Sequence, residues 1–275
     1  MKLNGAIILL LVISSCASGK DKTYTASTPA APVVKSFLGI AMGDSIDFIR
    51  WKLVLNDKRY SLHCNYGISK PNTNGFINGG KSVEISGAVN RHQNNYYLQN
   101  GGKNLVIAEL NNDLLHIRGT DSALLVGNGG WSYTLNNTLP SGSKQSNIVA
   151  SQAVLIDSML FEGRTPCNIP GIVAPGSECY KLKWLITLYS NPEKNEPSHY
   201  KLKGTAWRNY EAKTGKWAIS AGKDGTIKYL VYDEKGNVLL HLVKLDENVL
   251  LFTDADGKLL TGDHDFSYTL NRRPS

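Results

Sequence analysis

Beyond its first fifteen residues this chain of 275 residues has no long apolar run. A membrane-spanning helix needs about 20 consecutive apolar residues, so none is expected in the body of the protein. Blocks of like charge are missing too. The formal net charge is +7, yet residues 36–138 hold nine Lys/Arg against seven Asp/Glu, and residues 159–275 hold sixteen against fourteen. A phosphate backbone needs a concentrated basic stripe, so nucleic acid is not an expected partner. Catalytic signatures are also lacking: no Gly-x-Ser-x-Gly, no His-Glu-x-x-His and no dinucleotide fingerprint occurs. Of the histidines His63, His92, His116, His199, His241 and His264, none pairs with another at ligand spacing. His63 and Cys64 are neighbours, so on a strand they face opposite ways and cannot easily share a metal. Asp254-Ala255-Asp256-Gly257 begins like a calcium loop, but the twelfth position is Asp265 rather than the required Glu, which favours a plain turn. Asp263-His264-Asp265 reads as a solvated turn. The expectation is a protein with no catalytic residue, no metal site and no cofactor, hence not an enzyme.

What is present starts at the N-terminus. Lys2 is a short basic region, Ala6 to Ile13 is apolar, and Ile13-Ser14-Ser15-Cys16 follows at once. The apolar stretch is too short to span a bilayer and suits a secretion signal. The run from aliphatic to small to Cys resembles the lipobox of bacterial lipoproteins. It implies a signal peptide over residues 1–15, cleavage before Cys16, and a lipid on Cys16 as the membrane anchor. Residues 16–35 are rich in Ser, Thr, Pro, Ala and Lys, without periodicity, and read as a flexible tether. The expected location is the bacterial cell envelope, at the outer membrane.

Export places the other cysteines in an oxidising compartment. Cys167 and Cys179 flank a Pro/Gly-rich stretch, and a local disulfide is the first reading, a metal site the sharper alternative. Cys64 lies in Tyr60-Ser61-Leu62-His63-Cys64, which alternates like a strand, and reads as a buried thiol.

The chain also repeats itself. At a constant offset of 135, Leu110, Leu115, Asp121, Leu124, Leu125 and Gly127 meet Leu245, Leu250, Asp256, Leu259, Leu260 and Gly262. Ser132-Tyr133-Thr134-Leu135-Asn136 meets Ser267-Tyr268-Thr269-Leu270-Asn271 without a gap. Earlier matches are looser: Phe37 and Gly39 with Phe161 and Gly163, and Arg50-Trp51 with Lys183-Trp184. Two copies are expected, 36–138 and 159–275, joined by a linker over 139–158.

Both copies read as β. The second shows short β-prone runs at Leu182–Tyr189, Tyr200–Gly204, Lys216–Ser220, Ile227–Tyr232, Val238–Val243, Val249–Thr253, Lys258–Leu260 and Phe266–Leu270. Turn signals such as Glu234-Lys235-Gly236-Asn237 separate them. In the final run Phe266, Tyr268 and Leu270 face the core while Ser267, Thr269 and Asn271 face water. The fold class is all-β, as two tandem small antiparallel meander barrels related by internal duplication. Closure removes the exposed edges that a flat sheet would leave. Trp51, Trp184, Trp207 and Trp217 suit core packing, with a ligand cavity as the alternative.

Phe161-Glu162-Gly163-Arg164-Thr165-Pro166-Cys167, then Gly171-Ile172, then Lys258-Leu259-Leu260, resembles the NlpE-type envelope lipoproteins. These are named for copper resistance and adhesion-linked envelope stress signalling. The resemblance implies a lipocalin-like barrel with a Pro-Cys-x-x-Cys loop near its start. Here Pro170 stands where the second family cysteine would be, and Cys179 lies further on. The tandem ending in Ser-Tyr-Thr-Leu-Asn is similar to uncharacterised lipoproteins of Bacteroidota. The function expected is a lipid-anchored ligand-binding or envelope-sensing module. Its partners would be the membrane, through the lipid, and a small ligand or an envelope protein. The alternative is a structural or partner-docking surface lipoprotein.

Overall fold

The computed structural model describes residues 20–142, 147, 155–169, 171–173, 178–204, 212–222 and 225–273. Signal, lipidation site and Trp207 lie outside them. The fold is two closed eight-stranded antiparallel meander barrels. The first barrel comprises β1 (Lys22–Thr28), β2 (Phe48–Leu55), β3 (Arg59–Gly67), β4 (Lys81–His92), β5 (Asn95–Asn100), β6 (Lys103–Glu109), β7 (Leu114–Ile117) and β8 (Thr134–Asn137). The second comprises β9 (Ser158–Thr165), β10 (Leu182–Asn191), β11 (Glu196–Lys203), β12 (Lys213–Ala221), β13 (Ile227–Tyr232), β14 (Val238–Lys244), β15 (Val249–Thr253) and β16 (Thr269–Arg272).

The expected tether is corrected by β1. Lys22–Thr28 is a strand that pairs with β2 and, through Tyr24 and Thr25, with β8, closing the barrel. Pro32–Leu38 is a helix, α1, not a tether; Pro starts it and Gly39, at φ 71°, ends it. Of the expected tether, residues 16–21 alone lie ahead of β1. The hydroxyl-rich β1 has one large inward side chain, Tyr24, so it lacks a strong apolar signature. In the second copy β9 likewise closes the barrel. Lys258–Leu260, expected as a strand, contributes a single bridge between Thr253 and Leu259.

Register aligns the copies strand by strand. Tyr24 and Ala26 pair with Leu53 and Trp51, as Phe161 and Gly163 pair with Ile186 and Trp184. The sequence match of Phe37 and Gly39 to Phe161 and Gly163 is therefore replaced by Tyr24 and Ala26. Trp51 donates its ring N–H to Thr28 Oγ1 at 2.8 Å, and Trp184 to Thr165 Oγ1 at 2.9 Å. Tyr60 donates to the Gln99 carbonyl and Tyr200 to that of Tyr232, both at 2.9 Å. Each tyrosine lies beside a glycine. A Cβ on Gly87 would come within 2.3 Å of the Gln99 carbonyl, and one on Gly215 within 2.7 Å of the Tyr232 carbonyl. Tyr133, Leu135, Tyr268 and Leu270 are all buried, each pair within its own barrel's core.

One end of each barrel is closed by the segment after its first strand. In the first, α1 sends Val34, Phe37 and Leu38 into the core. In the second, the equivalent segment carries the disulfide, with Cys167 and Cys179 Cα atoms 6.0 Å apart. Ile169 is buried there, and Ile172 and Val173 pack on the core. The loop is thus a plug with its own apolar contacts, where the sequence suggested little packing. In the chain-entropy view a loop of this length contributes about 3 kcal/mol. A denatured, unreduced chain starting after Cys16 is expected to show one reactive thiol, Cys64, on thiol titration. Three would contradict the bridge. Cys64 is free, buried in the first core, and burial pushes its thiol well above the usual range.

The polar face of the terminal strands is not wet. Ser132, Thr134, Asn136, Ser267, Thr269 and Asn271 are all buried, because the barrels dock through them. Ser132 Oγ meets Ser267 Oγ, and Thr269 Oγ1 donates to Thr134 Oγ1 at 2.9 Å. Gly262 N–H donates to Asn136 Oδ1 and Gly127 N–H to Asn271 Oδ1, both at 2.8 Å. Equivalent residues meet each other, which is the signature of a two-fold, self-complementary interface, built here within one chain. An apolar cluster of Ala108, Leu110, Leu114, Val243, Leu245, Val249, Leu251 and Leu259 joins the barrels beside it.

Candidate functional site at the mouth of the first barrel

The end of the first barrel opposite α1 holds a cavity of about 260 Å³, lined by Tyr24, Leu55, Asn56, Asp57, Arg91, Tyr96, Glu109 and Asn112, with Lys20 and Lys22 at its edge. Strand ends position these groups: Tyr24 on β1, Arg91 on β4, Tyr96 on β5 and Glu109 on β6. Glu109 is buried, and its carboxylate pairs with the Arg91 guanidinium, which also donates to Asp57 at 3.0 Å. Arg91 lies 5.0 Å from the Tyr96 ring centre. Two contacts are long. Tyr96 Oη lies 3.3 Å from Glu109 Oε1, and Tyr24 Oη 3.3 Å from the Asn112 carbonyl. Burial, reinforced by the nearby Glu109 carboxylate, holds both phenols neutral, far above the ordinary tyrosine range. Neutral hydroxyls on weak bonds are able to exchange partners with a ligand, because a bond beyond about 3.2 Å gives little up.

The second barrel serves as an internal control. By register, Phe161, Ile219, Lys244 and Glu247 stand where Tyr24, Arg91, Glu109 and Asn112 stand in the first, while Tyr229 matches Tyr96. Lys244 is buried and reaches Glu247 at 2.5 Å. The same barrel therefore closes with a different charged pair at this end, Lys244 with Glu247, and the first copy differs in setting Arg91, Glu109 and the Tyr24 hydroxyl there. No known protein family, no curated protein and no solved structure matches this chain.

The sequence singled out other residues, and none of them is in the mouth. Cys167 and Cys179 are bonded to each other, so neither offers a thiolate to copper. Asp263, His264 and Asp265 bring ligand atoms within 4.8 Å of one another, but their carboxylates are engaged. Asp263 caps the backbone of Asp265 and Phe266, and Asp265 takes Arg50 at 2.6 Å and Asn74 at 2.6 Å across the junction. This turn is a docking element rather than merely a solvated loop. Asp254 accepts from the backbone of Lys258 at 2.8 Å, as the turn reading requires. Trp51, Trp184 and Trp217 are buried in the cores. His63 bonds Glu84 and Asn65 on the opposite side from Cys64. Sequence reasoning missed Arg91 and Glu109 because they lie 18 positions apart on separate strands. Their one signal was the contrast of Glu109 with Lys244 within an otherwise aligned repeat.

Proposed function

We propose that this protein is a non-enzymatic lipoprotein of the bacterial cell envelope, anchored through Cys16, that binds a small ligand at the mouth of its first barrel. The observation that carries the binding part is the contrast between the copies. A barrel of the same topology is built with Phe161, Ile219, Lys244 and Glu247, so the fold does not require Tyr24, Arg91, Glu109 and Asn112. Both copies hold a buried charge in an ion pair at this place, and such a pair is weak evidence for stability; the first copy adds the Tyr24 hydroxyl on a long hydrogen bond and a cavity of about 260 Å³, which suit binding. The lipobox-like run ending at Cys16 and the resemblance to NlpE-type lipoproteins support the envelope location.

The docking alternative has one observation in its favour. Large side chains fill the interiors: Tyr24, Trp51 and Leu53 in one barrel, Tyr200, Tyr229 and Phe252 in the other. Eight strands leave an interior just wide enough for such filling, so any ligand sits at the mouth and not along the axis.

Two experiments test this. Cys16→Ala should abolish palmitate labelling and, in a high-salt wash, move the protein from the membrane pellet to the soluble fraction; a variant that stays lipidated and sedimenting sinks the anchor. Grafting the second copy's residues, Tyr24→Phe, Arg91→Ile, Glu109→Lys and Asn112→Glu together, should keep the fold, since the second barrel is built with these four groups at the same places. Collapse of the grafted barrel in thermal unfolding would make the cluster structural.

A further inference from the structure

The mouth, β1 and the anchor fix a geometry. Lys22 opens β1 at the mouth end, and Cys16 lies six residues before it. At full extension six residues span at most roughly 20 Å. If Cys16 carries the lipid, as proposed above, the mouth cannot stand far from the bilayer.

Charge at this end is arranged to match. Of its four acids Glu109 and Asp113 are buried, and the exposed Asp21 and Asp57 are each engaged by a neighbouring side chain. Asp21 accepts from Asn56 at 2.7 Å; Asp57 and Glu109 share Arg91; Asp113 takes the backbone N–H groups of Ser141 and Gly142 at 2.7 and 2.9 Å. Lys20, Lys22, Lys58 and Arg59 are in no ion pair among the described residues, and Lys20, Lys58 and Arg59 are exposed. Beside them Thr138 ties the chain to the Thr23 carbonyl at 2.9 Å, and the next residue, Leu139, is 84% exposed. An uncovered aliphatic side chain next to unpaired cations suits a surface of anionic headgroups over hydrocarbon.

We propose that the mouth end of the first barrel rests on the membrane, with Lys20, Lys22, Lys58 and Arg59 on the phosphates of anionic lipids and Leu139 at the headgroup boundary. The cavity then opens toward the bilayer, so its ligand comes from the membrane surface.

The test uses the full secreted chain with Cys16→Ala, which removes the lipid from the measurement. It should co-sediment with vesicles of equal phosphatidylglycerol and phosphatidylcholine, not with phosphatidylcholine alone, and dissociate as salt rises. Lys20→Gln, Lys22→Gln, Lys58→Gln and Arg59→Gln together should weaken binding more than a hundredfold, at roughly fivefold per cation. An equal charge change on exposed lysines of the second barrel, Lys194→Gln, Lys201→Gln, Lys203→Gln and Lys216→Gln, should leave binding within about twofold. Equal losses from both sets, or none from the rim, would overturn the proposal. The anchor is read apart from this. A chain released from membranes by Cys16→Ala that ignores anionic vesicles refutes the rim contact and leaves the anchor standing. Rim-dependent vesicle binding by a chain never lipidated supports the rim contact alone.

Discussion

Asn136→Ala with Asn271→Ala should uncouple the two barrels and lower stability by about 4 kcal/mol, since leaving a buried partner unsatisfied costs roughly 1–3 kcal/mol each time. Asn136 accepts from Gly262 N–H at 2.8 Å and donates to the Asp263 carbonyl at 3.1 Å. Asn271 does the equivalent for Gly127. These glycines let the backbone approach: a Cβ on Gly127 would lie 2.7 Å from Asn271 Nδ2, and one on Gly262 3.0 Å from Asn136 Oδ1. The single variants should each show about half the loss, because the sites are symmetric copies in one interface. Urea unfolding followed by tryptophan fluorescence and circular dichroism is the measurement. Parent protein should unfold with coincident probes, and the double variant in two steps, one per barrel. A double variant within about 1 kcal/mol of the parent would mean that the apolar cluster alone holds the barrels together.

Acid should weaken the same interface through His116. Its ring is fully buried, bonded through Nδ1 to Thr134 Oγ1 at 3.0 Å and through Nε2 to the Leu125 carbonyl at 2.9 Å. Thr134 in turn joins Thr269 and Ser267 across the junction. Burial lowers the His116 pKa from 6.5 to about 4, opposed by the Leu125 carbonyl and assisted by the Arg118 charge. In the unfolded chain the ring titrates near 6.5. Below that pH the unfolded state binds a proton that the folded state refuses. Stability contributed by the neutral ring is therefore full above pH 6.5 and declines as pH falls to about 4, by about 3 kcal/mol in total. Leu251 occupies the equivalent place in the second barrel, so His116→Leu is the informative substitution. It should lower stability at pH 7.5, where two hydrogen bonds are lost, yet flatten the decline between pH 6.5 and 4. Unfolding free energies measured across that range decide the matter. An unchanged slope would show that carboxylates, not His116, govern the acid response.

The repeat was legible in sequence because identity was strongest where both faces of a strand are buried. Ser-Tyr-Thr-Leu-Asn occurs twice since Tyr and Leu fill each core, Ser and Thr meet their own copies across the junction, and each Asn takes a glycine N–H of the other copy. Alternation along these runs determined the all-β class and the inward residues, and the spacing of Cys167 and Cys179, read with the expected export, pointed to their bridge. Alternation cannot say what lies against the polar face. It assigned that face to water, and only docking of the second barrel reversed it. Nor could it find β1, whose one large inward side chain is Tyr24, or β9, whose Met159-Leu160-Phe161 run does not alternate; both serve to close a ring. Closure is a long-range pairing between residues such as Tyr24 and Asn137. The mouth is the same kind of fact. Tyr24, Arg91, Tyr96 and Glu109 are unremarkable polar residues in sequence, and only barrel curvature brings them to one end. A single chain carries local propensity and periodicity in its order of residues, whereas convergence of side chains from separate strands exists only once the ring has closed.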